Sequence, residues 1–227
     1  MNKTQLKEDI FTYSDVLTEE ECKGLIGYFE DMADMWGDVA FYESYGMGLI
    51  NNDEILKKHG LPAGFIDSLK NKMKEVAEDA FQRELSNVSC HAQKWAEGGY
   101  AGFHSDNSDN DGNPSAFEKS KYAVFLYLNG DIEGGILNFK DHPIQIKPER
   151  GLAGAFAGGH VNLHEVQVVK KGTRYTVGSF WDNADAVYDE ATMKKWEDEI
   201  QEVRRQQEIQ RQEWAEGRGH APGYTGK

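Results

Sequence analysis

HEVQVVKKGTRYTVGSFW, residues 164–181, reads as two strands joined by a tight turn. Val166, Val168 and Val169 lie before Gly172, and Tyr175, Val177, Phe180 and Trp181 after it. This is β-branched and aromatic writing broken by glycine, with Lys170 and Lys171 placed at the turn to face water. Working outward, the same texture runs from Val88 to Trp181. Candidate strands fall at 88–95, 100–104, 121–128, 135–140, 152–157, 161–169 and 173–181. No long helical pattern intervenes, which disfavours a parallel sheet built from βαβ units. The expected class is mainly β with flanking helices: an antiparallel sandwich or jelly roll.

Helical writing flanks this core. Thr18 and Glu21 have the spacing of a capping box, and Leu25, Ile26, Phe29, Met32 and Ala33 then recur on one face, predicting a helix from Thr18 to about Met35. A second helix is predicted from about Gly64 to Leu85, with Phe65, Leu69, Met73, Val76, Ala80 and Phe81 turned inward. Both are amphipathic and are expected to buttress one sheet. A third, from about Asp189 to Ala215, is dense in charge. Its thin apolar stripe of Met193, Trp196, Ile200, Val203 and Ile209 is read as packing on the domain, with a dimer surface as the alternative. The chain therefore divides into residues 1–185, with the jelly-roll core at about 88–182, and a charged C-terminal helix with a mobile tail, 186–227.

Composition narrows the function classes. The chain has 227 residues, enough for one sizeable core, and a formal net charge of −14. That charge opposes nonspecific binding to a phosphate backbone, and no nucleic-acid partner is expected. No apolar run reaches the ~20 residues of a membrane span and the N-terminus has no signal-peptide core, so a cytoplasmic location is the expectation. Cys22 and Cys90 are isolated, which suits a reducing compartment and makes neither a disulfide framework nor a zinc knuckle.

The chemistry concentrates in His104-Ser105-Asp106. On an extended strand residues i and i+2 project to one face, so an imidazole and a carboxylate converge. His-x-Asp alone is weak. His164, on a later strand, completes a set of two imidazoles and one carboxylate, the facial triad of non-heme iron(II) oxygenases, which leaves coordination positions open for a 2-oxo acid and dioxygen. Arg174, ten residues further on, offers a guanidinium suited to bidentate capture of the oxo acid's far carboxylate. His160 shares the face of His164 on an uninterrupted strand but is not the expected ligand. His59, His91, His142 and His220 have no partner spacing. Residues 107–118, NSDNDGNPSAFE, carry oxygen side chains at calcium-loop offsets, but they leave a strand rather than a helix; a mobile acidic loop at the site's mouth is expected instead.

These strings in order resemble the prolyl 4-hydroxylase-like branch of the iron(II)/2-oxoglutarate-dependent dioxygenases: FTYSDVLTEEECKGLI (11–26), GGYAGFHSD (98–106), YAVFLYLNGD (122–131), GGILNF (134–139), PERGLAGAF (148–156) and HEVQVVKKGTRYTVGSFW (164–181). The resemblance spans roughly residues 8–182. It implies a double-stranded β-helix, with His104, Asp106 and His164 as metal ligands and Arg174 as the salt-bridge partner of 2-oxoglutarate. It implies Tyr127 as a hydrogen-bond donor to the same cosubstrate. One departure stands out. The family often places a tyrosine nine or ten residues before the first iron histidine, whereas this chain has Trp95, whose indole donates but cannot accept. Tyr100 is the candidate substitute, and Trp95 and Trp181 are candidates for the substrate groove.

The implied activity is hydroxylation of a C–H bond using Fe(II), 2-oxoglutarate and O2, with ascorbate as a supporting reductant and succinate and CO2 as coproducts. A prolyl residue in a peptide or protein is the first expectation for substrate. A free amino acid or other small molecule, and a jelly-roll binding module without turnover, stay open. A cupin-type enzyme without 2-oxoglutarate would leave Arg174 unexplained.

Overall fold

A computed structural model describes residues 1–38 and 44–215. The predicted tail, with His220, lies outside them. The strands in chain order are β1 (Asn2–Lys7), β2 (Ile10–Ser14), β3 (Gly37–Asp38), β4 (Tyr45–Gly48), β5 (Leu85–Trp95), β6 (Ala101–His104), β7 (Tyr122–Tyr127), β8 (Glu133–Gly134), β9 (Leu137–Phe139), β10 (Gln145–Ile146), β11 (Ala153–Ala157), β12 (His164–Val166), β13 (Val169–Lys171) and β14 (Arg174–Asn183). The helices are α1 (Glu19–Asp31), α2 (Asp53–Lys58), α3 (Phe65–Phe81) and α4 (Glu190–Ala215). An eight-stranded antiparallel sheet, β1-β2-β11-β7-β14-β5-β4-β3, faces a four-stranded sheet, β10-β9-β12-β6, with β13 and β8 paired at one end. This is the expected jelly roll.

The large sheet has a different core on each face, and alternation along each strand decides which residue enters which. On β14, Tyr175, Val177 and Trp181 pack with α1 and α3 residues such as Leu25, Phe29, Leu69 and Met73. The intervening Arg174, Thr176, Gly178 and Phe180 face the four-stranded sheet. There Trp95, Tyr127, Phe156, Leu137 and Phe139 form the second core.

The expected capping box is present: the Glu21 amide donates to Thr18 Oγ1 at 3.1 Å and the Thr18 amide to Glu21 Oε2 at 2.8 Å. Several boundaries differ from the sequence reading; the first helix ends at Asp31, and Ala33–Met35 form a separate 3-10 turn. The second predicted helix stops at Phe81, because Gln82 adopts a left-handed conformation (φ 51°) and Leu85 already belongs to β5. Strand 161–169 is broken by a 3-10 turn, His160–Asn162, so His160 and His164 do not share a continuous strand face. The hairpin of β1 and β2, which extends the large sheet beside β11, was not read from the sequence. At the far end α4 begins on an Asp189 cap (Thr192 amide to Oδ1, 2.8 Å), and Trp196 is buried against Tyr188, ring centroids 5.0 Å apart. The start of α4 therefore packs on the domain.

Candidate metal centre and cosubstrate pocket

β6 and β12 are antiparallel neighbours, and their register sets His104 directly opposite His164. The imidazole centroids are 4.3 Å apart. Asp106, just past the end of β6, turns in beside them, its Oδ1 3.7 Å from His104 Nε2 and 3.6 Å from His164 Nε2. These distances are too long for hydrogen bonds; the donor atoms of all three residues lie within 4.8 Å of one another around a common point.

Backbone carbonyls fix the orientation of both rings. His104 Nδ1 lies 2.7 Å from the Gly102 carbonyl oxygen and His164 Nδ1 lies 2.9 Å from that of Asn162. A neutral imidazole that donates from Nδ1 presents the Nε2 lone pair, the tautomer a metal requires. Asp106 is held by its backbone: its amide donates to the Gly158 carbonyl at 2.8 Å, and the Ser105 hydroxyl donates to the same oxygen at 2.9 Å. Position 158 must be glycine, because a Cβ there would stand 2.5 Å from the Ser120 carbonyl oxygen and 2.9 Å from Asp106 Cβ.

The electrostatics leave this group incomplete without a cation. Burial pushes the Asp106 carboxyl up to about 8. Burial, reinforced by the neighbouring His104, holds His164 well below the ordinary imidazole value, and burial lowers His104 against the opposing Gly102 bond. Two neutral imidazoles therefore flank a carboxyl group whose Oδ2 is buried without a hydrogen-bond partner. A divalent cation would supply the missing positive charge and reverse the pressure on Asp106. The donor set, two nitrogens and one oxygen, suits iron(II).

One end of the second core holds the other charged feature. Arg174 is 1% exposed, paired in register with Trp95, its guanidinium carbon 5.3 Å from the Trp95 ring and 5.0 Å from the Tyr127 ring. Its Nε and Nη1, and the Tyr127 hydroxyl, have no hydrogen-bond partner of good geometry. Burial lowers Arg174 and raises Tyr127, each opposed by the charge of the other. Among the described residues Arg174 has no acidic partner beyond its contact with Tyr127; a buried cation so placed is costly, and an incoming carboxylate would offset that cost. Thr176 and Gln93 form the next rung of the same face, with the Thr176 hydroxyl donating to Gln93 Oε1 at 3.3 Å. Sequence reading passed over both, although each lies two residues from a residue it had singled out.

With this geometry in hand, comparison with known proteins is informative. Residues 88–182 match the family model of the 2OG-Fe(II) oxygenase superfamily. The jelly-roll segment of the chain is thus similar to that superfamily's domain. Over 101 residues the chain is 32% identical to prolyl 3-hydroxylase 1 of Gallus gallus, covering 42% of this chain and 14% of that protein. Over 82 residues it is 37% identical to prolyl 3-hydroxylase 2 of Homo sapiens, 34% of this chain and 11% of that one. The chain thus spans only a small part of these relatives' length. Among solved structures it is similar to the viral collagen prolyl hydroxylase of Paramecium Bursaria Chlorella virus-1 (TM-score 0.58, 18% identity, 77% of this chain and 96% of that one). A Pseudomonas putida prolyl-4-hydroxylase is comparable (0.56, 16%, 77% and 92%). These likenesses establish the prolyl hydroxylase-like fold.

The remaining sequence candidates are distributed unevenly. Trp95 lies inside the second core against Arg174, at 2% exposure, rather than along an open groove. Trp181 must be corrected. It is seven residues from Arg174, an odd number, so it points to the opposite face of β14 and packs in the helix-side core, its indole donating to Ser179 Oγ at 2.8 Å. Tyr100 is 41% exposed, outside the second core that holds Arg174 and Tyr127. His160 is exposed and lies against Gly112 of loop 107–118, where a Cβ would sit 2.7 Å from its Nδ1. In that loop Asp109 Oδ1 accepts the amides of Asp111 (3.0 Å) and Asn113 (2.8 Å). The carboxylate is engaged in shaping its own turn.

Proposed function

We propose that the protein is an Fe(II)- and 2-oxoglutarate-dependent dioxygenase that hydroxylates a C–H bond, first of all in a prolyl residue of a peptide or protein. The observation that carries this reading is the pairing of two incomplete sites within one jelly roll: the His104–Asp106–His164 cluster at its mouth and the unpaired Arg174 with Tyr127 inside it. His104, Asp106 and His164 would hold the iron, and Arg174 with Tyr127 the cosubstrate's distal carboxylate. When bound, iron with 2-oxoglutarate and O2 supplies oxidative C–H hydroxylation, releasing succinate and CO2; ascorbate serves as the supporting reductant. The chain's contribution is to fix the imidazole tautomers, to anchor the dianion at one end and to keep the interior dry around it.

A prolyl substrate is supported by the prolyl hydroxylase names of both the sequence relatives and the structural neighbours. A peptide rather than a free amino acid is supported by the exposed Tyr100 and Phe103 before and on β6, and Phe117 in the loop that follows it. We take residues 1–185 as the oxygenase unit and 186–227 as an appendage available for self-association. No helix among the described residues is long and apolar enough to cross a membrane. The two cysteines are free thiols, which suits the reducing compartment of the cytoplasmic reading.

The test is succinate release from 2-oxoglutarate by the purified protein with Fe(II) and ascorbate, with and without proline-containing peptides. Hydrolysed product is then separated into 3- and 4-hydroxyproline. Absence of both succinate and 2-oxoglutarate binding under every condition would overturn the oxygenase reading; succinate driven only by small molecules would replace the peptide substrate.

A further inference from the structure

The iron-site reading above leaves unexplained how His164 is held, since it follows a 3-10 turn rather than sitting deep in a strand. The turn, His160–Asn162, is gripped from the N-terminal hairpin, more than 150 residues away in sequence. Asn162 is fully buried, and its side-chain Nδ2 donates to Asp9 Oδ2 at 2.8 Å and to the Ala157 carbonyl at 3.0 Å. The Asp9 carbonyl in turn accepts the Ala157 amide at 3.2 Å. The Asn162 carbonyl is the atom 2.9 Å from His164 Nδ1. Nearby, Lys7 Nζ donates to His142 Nε2 at 2.7 Å. Asp9, in the turn from β1 to β2, therefore engages the turn that presents His164.

We propose that Asp9 is a positioning residue for the metal centre: through Asn162 it fixes the carbonyl that sets the tautomer and direction of the His164 imidazole. The chemistry at Asp9 fits this better than a purely structural role. Its Oδ1 and the Asn162 Oδ1 are both buried without a hydrogen-bond partner among the described residues, an arrangement an apolar hairpin turn would avoid. Partners in the second layer around a metal orient its ligands, and their loss typically weakens metal binding by about 10–100-fold. Asp9 lies outside residues 88–182, the segment that carries the family match, and reaches the site through the pairing of β2 with β11.

Cobalt(II) titration of the metal-free protein, read by visible absorption, tests the proposal. Asp9→Leu is expected to weaken cobalt binding by about 10–100-fold and to alter the absorption envelope. Asp9→Asn, which keeps an acceptor for Asn162 Nδ2, is expected to bind within about threefold of wild type, a factor worth well under 1 kcal/mol. Tyr13→Phe, which removes the 2.7 Å bond tying Tyr13 of the same hairpin to Asp79 on α3, controls for loosening of the hairpin as such and is expected to bind normally. Unchanged cobalt binding in Asp9→Leu, or equal weakening in Tyr13→Phe, would overturn the proposal. A wild-type protein that binds no cobalt would overturn the metal-site reading itself, and this inference with it.

Discussion

His104 and His164 face each other as a cross-strand pair of β6 and β12, and each ring is tethered at Nδ1 by the carbonyl two residues before it. The common tether turns both Nε2 atoms toward Asp106, which suits the pair to the proposed metal site, and it separates His164 from His160. His164→Ala is expected to abolish tight Fe(II) or Co(II) binding, whereas His160→Ala leaves it within a few-fold. Metal titration followed by fluorescence decides this, and the reverse ranking would reassign the ligand.

Arg174 supplies two aligned donors where lysine supplies a point charge. Arg174→Lys is expected to weaken 2-oxoglutarate binding by about 1–3 kcal/mol, the scale of a charge-assisted hydrogen bond. Tyr127→Phe removes a neutral donor and is expected to cost about 1 kcal/mol. Calorimetric titration of 2-oxoglutarate into manganese-loaded protein measures both; unchanged affinity in Arg174→Lys would remove it from the pocket.

At Gly158 the neighbours of an added methyl are a backbone carbonyl and Asp106 itself, neither of which yields cheaply. Gly158→Ala should destabilise the fold by about 1–3 kcal/mol through overpacking and displace Asp106. Thermal melts of the metal-free protein give the first effect, and metal affinity gives the second.

His91 lies inside the jelly roll, stacked on Phe180 with centroids 6.0 Å apart, and burial holds it down to about 4. The folded state therefore binds fewer protons than the unfolded state between about 4 and the ordinary value of 6.5. The associated stability is fully present above 6.5 and is lost as pH falls through that window, to a total of about 3 kcal/mol at most. His91→Phe keeps the stack without the titration, so its stability should fall less steeply than wild type between pH 6.5 and 4 in denaturant unfolding. Parallel curves would show that His91 is not the group responsible.

The site's ligands were legible in the sequence because each depends on local geometry. His104 and Asp106 sit two apart at a strand end, and Arg174 opens the strand after His164. Trp181 was misassigned although strand parity alone places it on the other face from Arg174. Other features were beyond reach for a different reason. Asp9 meets Asn162 only because β2 pairs with β11, a contact across more than 150 residues that no spacing rule encodes. Gly158 looked like any other turn glycine until the Ser120 carbonyl and Asp106 were seen to crowd it. The short strands β3 and β4, rich in glycine and next to residues outside the described region, carried no periodic signal.

The alternation along β14 has a practical consequence for engineering. Even-numbered positions from Arg174 to Phe180 face the four-stranded sheet and the proposed site, and odd-numbered positions from Tyr175 to Trp181 face the layer under the helices. A mutant library restricted to the odd set explores thermal robustness at fixed chemistry, and one restricted to the even set explores cosubstrate and substrate range on a fixed scaffold. A single strand thus offers two nearly independent dials, set by whether a residue number is odd or even.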